Sequence, residues 1–211
     1  SVADLKGKTV AVPIGSTAHY SLMGALQHEG LSEADVNIVG MKPDDIAAAW
    51  GQGSIDAAWI WQPVQSEILK TGTLVIGADQ TAEWGYPTYD GWVVNKAFAE
   101  ANSDKIVAFL KALDKVNGMY LADPAAWTVD SAEVKALAAA TGADPAQVPE
   151  IISGFTYLPM ATQVGDDWLG SAVPKIKATA EFLKGAGRID AALDDYSAFV
   201  NPAYATAAAA E

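Results

Sequence analysis

The sequence contains no cysteine and only one arginine, Arg188, and these two shortages exclude several classes of function. Without cysteine there can be no disulfide framework, no thiolate nucleophile and no cysteine-ligated metal site. The 13 Lys and Arg residues are outnumbered by 26 Asp and Glu residues, so the net charge is −13 at pH 7. A chain with this balance lacks the clustered cations that phosphate backbones and anionic membrane surfaces attract. We therefore expect no nucleic-acid partner and no membrane-surface partner.

Long hydrophobic runs are also missing, although 51% of the residues are hydrophobic. No run approaches the roughly 18 residues that are needed to cross a bilayer. The first residues do not combine a basic stretch with an apolar one, so we expect any export signal to lie upstream or to have been removed.

The motifs of common enzyme classes are absent from the sequence as well. The two histidines, His19 and His28, do not have the i, i+4 spacing of a helical metal pair. There is no Gly-x-Ser-x-Gly elbow, no Walker loop and no Gly-x-Gly-x-x-Gly fingerprint. We therefore expect a protein that is not an enzyme and has no catalytic residue, metal ion or cofactor.

The pattern of apolar residues divides the chain into two parts. In residues 1–91 short strand-like runs alternate with helical patterns, which implies parallel crossover connections and an α/β sheet. From about Trp92 the periodicity becomes helical. Strands are predicted at 8–13, 36–41, 55–61 and 74–76. Helices are predicted at 15–26, 43–50, 64–70, 103–121, 172–183 and 191–200, and a further helix is predicted to end at Gly142. Residues 205–211 are predicted to form a frayed tail.

The segment Gly15-Ser16-Thr17-Ala18 follows the first predicted strand and opens a helix. Backbone N–H groups, two hydroxyls and the positive end of the helix dipole would converge there, which is a geometry that can hold an oxyanion without Lys or Arg. Alternatively, Ser16 or Thr17 only caps the helix. Caps are common, so the local sequence alone favours the capping interpretation.

Four further residues are candidates for ligand contact. Trp61 ends the third predicted strand, and ligands of open α/β sheets bind beyond the carboxyl ends of strands, so Trp61 and Gln62 are placed for a site. Trp61 could equally be a core aromatic. Trp84 lies in a Gly- and Pro-containing loop and could form a ligand wall. Asp90 stands where a hinge is expected, but its local sequence is also typical of a turn aspartate.

Several segments resemble one known family, in order along nearly the whole chain. They are Asp4-Leu-Lys-Gly-Lys-Thr-Val-Ala-Val-Pro13, Ser16-Thr-Ala-His-Tyr-Ser-Leu22, Gly53-Ser-Ile-Asp-Ala-Ala-Trp-Ile-Trp-Gln-Pro63, Trp84-Gly-Tyr-Pro-Thr-Tyr-Asp90, Trp92-Val-Val-Asn-Lys-Ala-Phe98 and Asp195-Tyr-Ser-Ala-Phe199. They resemble the nitrate, sulfonate and taurine group of type II periplasmic solute-binding proteins. The first segment is shared by the whole group, whereas the second and fourth are closer to its taurine binders.

The resemblance implies a fold, a location and partners. It implies a type II periplasmic-binding-protein fold in which residues 1–91 form the second, α/β lobe and residues 92–211 return to the first lobe. A further N-terminal segment of the first lobe, which family members carry, is missing from this sequence. The protein would be a periplasmic, monomeric component of an ABC importer, would capture taurine or a similar small sulfonate, and would deliver it to a membrane permease.

The same resemblance assigns roles to the candidate residues. It places the anionic head at Ser16, Thr17 and Ala18 and makes Asp90 the partner of an ammonium group. His19, Trp61, Gln62 and Trp84 are also expected to contact the ligand, although the simpler interpretation of His19 is a histidine of the helix surface or capping region. Alternative functions are the binding of another small anion, such as an alkanesulfonate or nitrate, and a fold-related enzyme that makes a pyrimidine precursor. A regulator's effector domain of similar fold would need a basic helix-turn-helix upstream.

Overall fold

The N-terminal unit, Ser1–Gly91, is built on a three-stranded parallel sheet in this computed structural model, which describes residues 1–210. The strands lie in the order β2-β1-β3, so β1 is central. Val10 is paired with Ile38 on one side and with Ala57 on the other. The elements in chain order are β1 (Thr9–Val12), α1 (Thr17–His28), β2 (Asn37–Gly40), α2 (Pro43–Gly51), β3 (Ala57–Ala58), α3 (Val64–Leu69) and α4 (Ala78–Glu83), with 3-10 turns at Val2–Leu5 and Glu33–Asp35.

Helices cover both faces of this sheet, which explains the continuous apolar sequence of β1. Successive side chains of a strand point to opposite faces. Val10 and Val12 pack with α1 residues such as Leu22, whereas Ala11 packs with Ile46 of α2. The predicted α/β class of this part of the chain is confirmed, because a parallel sheet buried on both faces is the arrangement that its strand–helix alternation requires.

Asp56 fixes the start of β3 against the central strand. Its carboxylate accepts the Thr9 N–H at 2.8 Å, and its own N–H donates to the Thr9 carbonyl at 2.9 Å. The side chain thus extends the hydrogen-bond ladder by one step beyond the two residues of β3. This anchoring matters for the site, because it sets where the chain leaves β3.

The prediction of a fourth strand is wrong. Leu74–Ile76 forms no strand, and Leu74 and Val75 remain 57% and 51% exposed. An apolar run becomes a strand only where a neighbouring strand accepts and donates its backbone hydrogen bonds, and no described residue pairs with this run. The third predicted strand, 55–61, is likewise reduced to Ala57–Ala58.

The C-terminal unit, from Trp92 onward, is helical as predicted. The long helix expected at 103–121 is α6, and Gly142 ends α7 in the left-handed conformation with φ 75°. The helices are α5 (Lys96–Ala101), α6 (Ser103–Ala122), α7 (Ala132–Thr141), α8 (Val148–Ser153), α9 (Met160–Gln163), α10 (Ala172–Gly185) and α11 (Ala203–Ala209). None of the helices within residues 1–210 combines the length and the apolar character that crossing a membrane would require.

Two predictions for this unit are wrong. Residues 191–200 contain only the 3-10 turn Ser197–Phe199 rather than a helix. The expected frayed tail instead forms α11, in which Ala205 and Ala208 are buried together with Met160. Alanine has the highest helix propensity and a side chain small enough for close helix packing, so the run is helical wherever neighbouring helices cover it. Glu211, the last residue of the predicted tail, lies outside the described residues.

Candidate functional site

Two of the predicted site segments leave the sheet at the same edge. Strands β1 and β3 are adjacent and parallel, so the loop that follows each strand begins at their common carboxyl edge. Ser16 and Thr17 follow β1, and Trp61 and Gln62 follow β3. Trp61 is 44% exposed and is therefore not a core aromatic, whereas Trp59 packs half-buried against the α1 side of the sheet.

Ser16 is the N-cap of α1, as the capping interpretation predicts. Its hydroxyl accepts the His19 N–H at 3.3 Å and donates to the Pro13 carbonyl at 2.6 Å. Its own N–H also donates to that carbonyl, at 3.2 Å. The Gly15 N–H donates to Nδ1 of His19 at 3.2 Å. The N–H groups of Gly15 and Ser16, and the Ser16 hydroxyl, are therefore already engaged within the loop.

Thr17 and Ala18 supply the donors that remain. Their N–H groups belong to the first turn of α1, where no intrahelical acceptor exists. Neither N–H, nor the hydroxyl of the exposed Thr17, forms a hydrogen bond with the described residues. The positive end of the helix dipole lies at the same place. Two N–H groups and one hydroxyl without a hydrogen-bond partner among the described residues thus lie at this helix end.

His19 lies in the capping region of α1, which is one form of the simpler interpretation, and not on the helix surface. It is only 3% exposed, so a ligand at the helix end would meet the Gly15 loop rather than the imidazole ring. Gln62 is also engaged in the local fold, because its side-chain carbonyl accepts both the N–H and the hydroxyl of Ser66 in the first turn of α3. Both residues therefore support the site's loops.

Trp84 begins a segment that runs antiparallel along α1. Its ring stacks on His28 with centroids 3.7 Å apart and planes 1° from parallel. Two residues later Tyr86 packs against Gly24 and lies edge-on to Tyr20, with centroids 5.8 Å apart. His28 ends α1, roughly 16 Å along the helix axis from Thr17. The structure therefore does not bring Trp84 to the Ser16–Thr17 end, because the stack holds it at the opposite end of the helix.

Three tyrosines near the start of α1 escaped the sequence analysis. Burial raises the pKa of the Tyr20 phenol above its ordinary value, and the nearby Tyr86 and Tyr89 raise it further. Burial also raises the pKa of Tyr89. The phenols of Tyr20 and Tyr89 therefore stay neutral at physiological pH and can donate hydrogen bonds. The sequence does contain a signal for these tyrosines. Tyr20 follows Thr17 by one helical turn, and Tyr86 and Tyr89 lie in the Trp84–Asp90 segment.

Asp90 follows this tyrosine cluster at the end of the segment. Its side chain is exposed, and its carboxylate makes no hydrogen bond or ion pair with any described residue. A turn aspartate would accept a nearby backbone N–H, so the structural alternative for Asp90 is not what the structure shows. Among residues 1–210 there is no cluster of three side chains that could hold a metal ion.

Comparison with known proteins identifies the family. The family model described as "NMT1/THI5 like" matches residues 1–127, and the chain belongs to this family. It is 39% identical to the taurine-binding periplasmic protein of Escherichia coli (strain K12) over 93% of this chain and 61% of that protein. It is 37% identical to a putative aliphatic sulfonates-binding protein of Bacillus subtilis (strain 168) over 54% of this chain and 34% of that one. The chain thus spans less than two thirds of the length of these relatives.

Solved structures confirm the fold class. The periplasmic aliphatic sulphonate binding protein SsuA from Escherichia coli superposes with a TM-score of 0.66 at 21% identity, covering 92% of this chain and 59% of that one. The alkanesulfonate-binding protein SsuA from Xanthomonas axonopodis pv. citri, bound to MOPS, gives 0.54 at 23% identity over 89% and 61%. The fold is that of periplasmic binding proteins, and these relatives are named for binding rather than for a reaction.

Proposed function

We propose that this chain is part of the solute-binding component of an ABC importer, and that it binds taurine or a related small sulfonate at the carboxyl edge of its sheet. The relative that matches 93% of the chain is named for taurine binding. Localisation in the periplasm, delivery to a membrane permease and a monomeric state belong to the same proposal.

The donors at the start of α1 are the observation that carries this proposal. A sulfonate is ionised throughout the physiological pH range and presents three oxygens. Thr17 and Ala18 offer two N–H groups, and the Thr17 hydroxyl offers a third donor. Hydrogen bonds to an ionised acceptor are shorter and stronger than neutral ones. With a net charge of −13, the chain attracts an anion through this local arrangement rather than through its overall field.

The other end of the ligand is assigned to Asp90 and the tyrosines. Taurine carries an ammonium group two carbons from its sulfonate, and Asp90 has a carboxylate without a partner among the described residues. The segment 84–90 runs toward the start of α1. Its last residue therefore approaches the end of the helix that carries the Thr17 and Ala18 donors, and not the end that carries His28. Trp61, at the same sheet edge, would supply an apolar wall.

We also propose that the protein binds taurine without catalysing a reaction on it. The full-length protein incubated with taurine should release neither sulfite nor ammonia above a buffer control. Release that depends on the protein would support instead the fold-related enzyme that makes a pyrimidine precursor, or another reaction.

A second candidate ligand is an alkanesulfonate without an amine. It is favoured by the relatives named for aliphatic sulfonates and by the structural neighbour that holds MOPS. Both ligands carry a sulfonate group, so the donors at the start of α1 cannot distinguish them. The presence of an unpaired carboxylate at Asp90 favours taurine.

Calorimetry on the full-length protein tests the proposed anion site at the start of α1. Thr17→Val removes the hydroxyl and keeps the shape of the side chain, so taurine affinity should fall on the order of tenfold or more. The matched control is Thr73→Val, at an exposed threonine of the same unit that makes no hydrogen bond with the described residues. Unchanged affinity in the Thr17 variant would contradict the proposed anion site.

A further inference from the structure

His19 links the two sides of the loop that precedes α1. It is the third helical residue, and its backbone N–H donates to the hydroxyl of the N-cap Ser16. Its ring reaches back in the other direction, where Nδ1 accepts the N–H of Gly15. This is the reciprocal pattern of a capping box, in which the side chain of the third helical residue satisfies an N–H near the N-cap.

The hydrogen bond from Gly15 determines the protonation state of the ring. A nitrogen that accepts an N–H carries no proton, so the ring is neutral and its proton is on Nε2. The third helical residue of an ordinary capping box is Glu or Gln. A glutamate here would place a negative charge in the turn whose N–H groups are available to an anion. Histidine supplies the acceptor without that charge.

Gly15 is the residue that this bond holds in place. Its φ of 79° is in the left-handed region, which lets the chain turn from β1 into α1. With its N–H directed to His19, Gly15 takes no part in an anion site, and Thr17 and Ala18 present the remaining donors. The orientation of the loop therefore depends on a side chain that is 3% exposed.

We propose that His19 is a positioning residue for the anion site: its neutral Nδ1 fixes the Gly15 loop so that the Thr17 and Ala18 donors face the ligand. This inference rests on the proposed function, and His19 itself does not touch the ligand. It assigns an indirect role to a residue that the sequence analysis placed among the ligand contacts.

A pair of variants separates the role of the acceptor from the packing of the ring. His19→Gln keeps a neutral acceptor of the kind that capping boxes use, and His19→Leu keeps an apolar volume without one. In the full-length protein, sulfonate affinity should fall about tenfold or more in the leucine variant and stay within about threefold in the glutamine variant. Equal affinity in the leucine variant and the wild type would overturn the proposal, and so would equal losses in both variants.

Two measurements without ligand test the inference independently of the proposed function, and the first of them needs only the wild type. Long-range 15N–1H correlation of the wild type should show Nδ1 without a proton and Nε2 with one. A protonated Nδ1 would overturn the inference. Exchange of the Gly15 amide with solvent should accelerate in the leucine variant and not in the glutamine variant. Absence of sulfonate binding in the wild type would refute the proposed function while these two results still decide the role of His19.

Discussion

The ring of Tyr86 lies against the backbone of Gly24 in the middle of helix α1. A Cβ placed on Gly24 would lie 2.7 Å from the Cβ of Tyr86, closer than real Cβ atoms approach their neighbours. Gly24 has no need of an unusual backbone conformation, because its φ is not among the positive values of the chain. The glycine is therefore required by the close approach of the segment that carries Tyr86, Tyr89 and Asp90.

Gly24→Ala should destabilise the protein, although alanine normally stabilises a helix interior by up to about 1 kcal/mol relative to glycine. The added methyl must displace the Tyr86 ring, and overpacking of this kind costs about 1–3 kcal/mol. Urea unfolding measures the change. Gly118→Ala in α6 is the matched control, since nothing lies within 4 Å of a Cβ there and the substitution should stabilise. A gain in stability at both positions would contradict the close approach.

Asp90→Ala should discriminate between ligands. If Asp90 pairs with the ammonium group, its removal leaves that group unpaired and costs on the order of 2–5 kcal/mol for taurine. Ethanesulfonate, which has no amine, should bind the variant about as well as it binds the wild type. Calorimetry with both ligands on the full-length protein provides the comparison. Equal losses for the two ligands would assign Asp90 a structural role and favour the alkanesulfonate alternative.

Asp114→Leu should loosen the C-terminal unit. The Asp114 carboxylate in α6 accepts the N–H of Met160, the first residue of α9, at 2.6 Å. Met160 is 3% exposed, so its N–H would be left buried without an acceptor, at a cost of about 1–3 kcal/mol. Asp114→Asn retains an oxygen at the same position and should lose less. Thermal unfolding of the two variants tests this order, and equal losses would show that the hydrogen bond contributes little.

Asp35 should make the N-terminal unit sensitive to acid. Hydrogen bonds from the N–H and hydroxyl of Ser32, together with Lys6 at 3.2 Å, lower the pKa of its carboxyl from 3.8 to about 2. A carboxyl with a lowered folded pKa contributes stability above its unfolded pKa and loses that contribution as the pH falls through the folded value. Between about pH 4 and about pH 2, the wild type should therefore lose more stability than Asp35→Asn. Ser32→Ala should give an intermediate slope, and parallel profiles for all three proteins would contradict the prediction.

The elements that local patterns specify could be predicted from the sequence. The run 8–13 contains the apolar residues Val10, Ala11 and Val12 and ends at a proline, and β1 forms within it. Pro43 with the acids Asp44 and Asp45 correctly marks the start of α2. The capping role of Ser16 was one of two interpretations, and the structure shows it. The two helix starts are decided by interactions within a few residues along the chain, whereas β1 also needs the distant strands that pair with it.

The features that depend on distant residues could not be predicted. Leu74–Ile76 has the composition of a strand, but no described strand pairs with it. Trp84 is placed by His28, which is 56 positions earlier in the chain, and no local spacing reveals that stack. The donors at the start of α1 were overcounted although the interaction is local, because apolar periodicity does not show that the His19 ring accepts the Gly15 N–H.

The central position of β1 has a consequence for synthesis. β1 precedes both of its partner strands in the chain, and Asp56, which anchors β3, follows Thr9 by 47 residues. At translation rates of roughly 5–20 residues per second, several seconds pass between the emergence of these two positions from the ribosome. Until β2 has emerged, Val10, Ala11 and Val12, which are at most 1% exposed in the folded unit, have no strand to pair with. The strand that ends up most deeply enclosed is therefore the one that waits longest for its partner strands on the nascent chain.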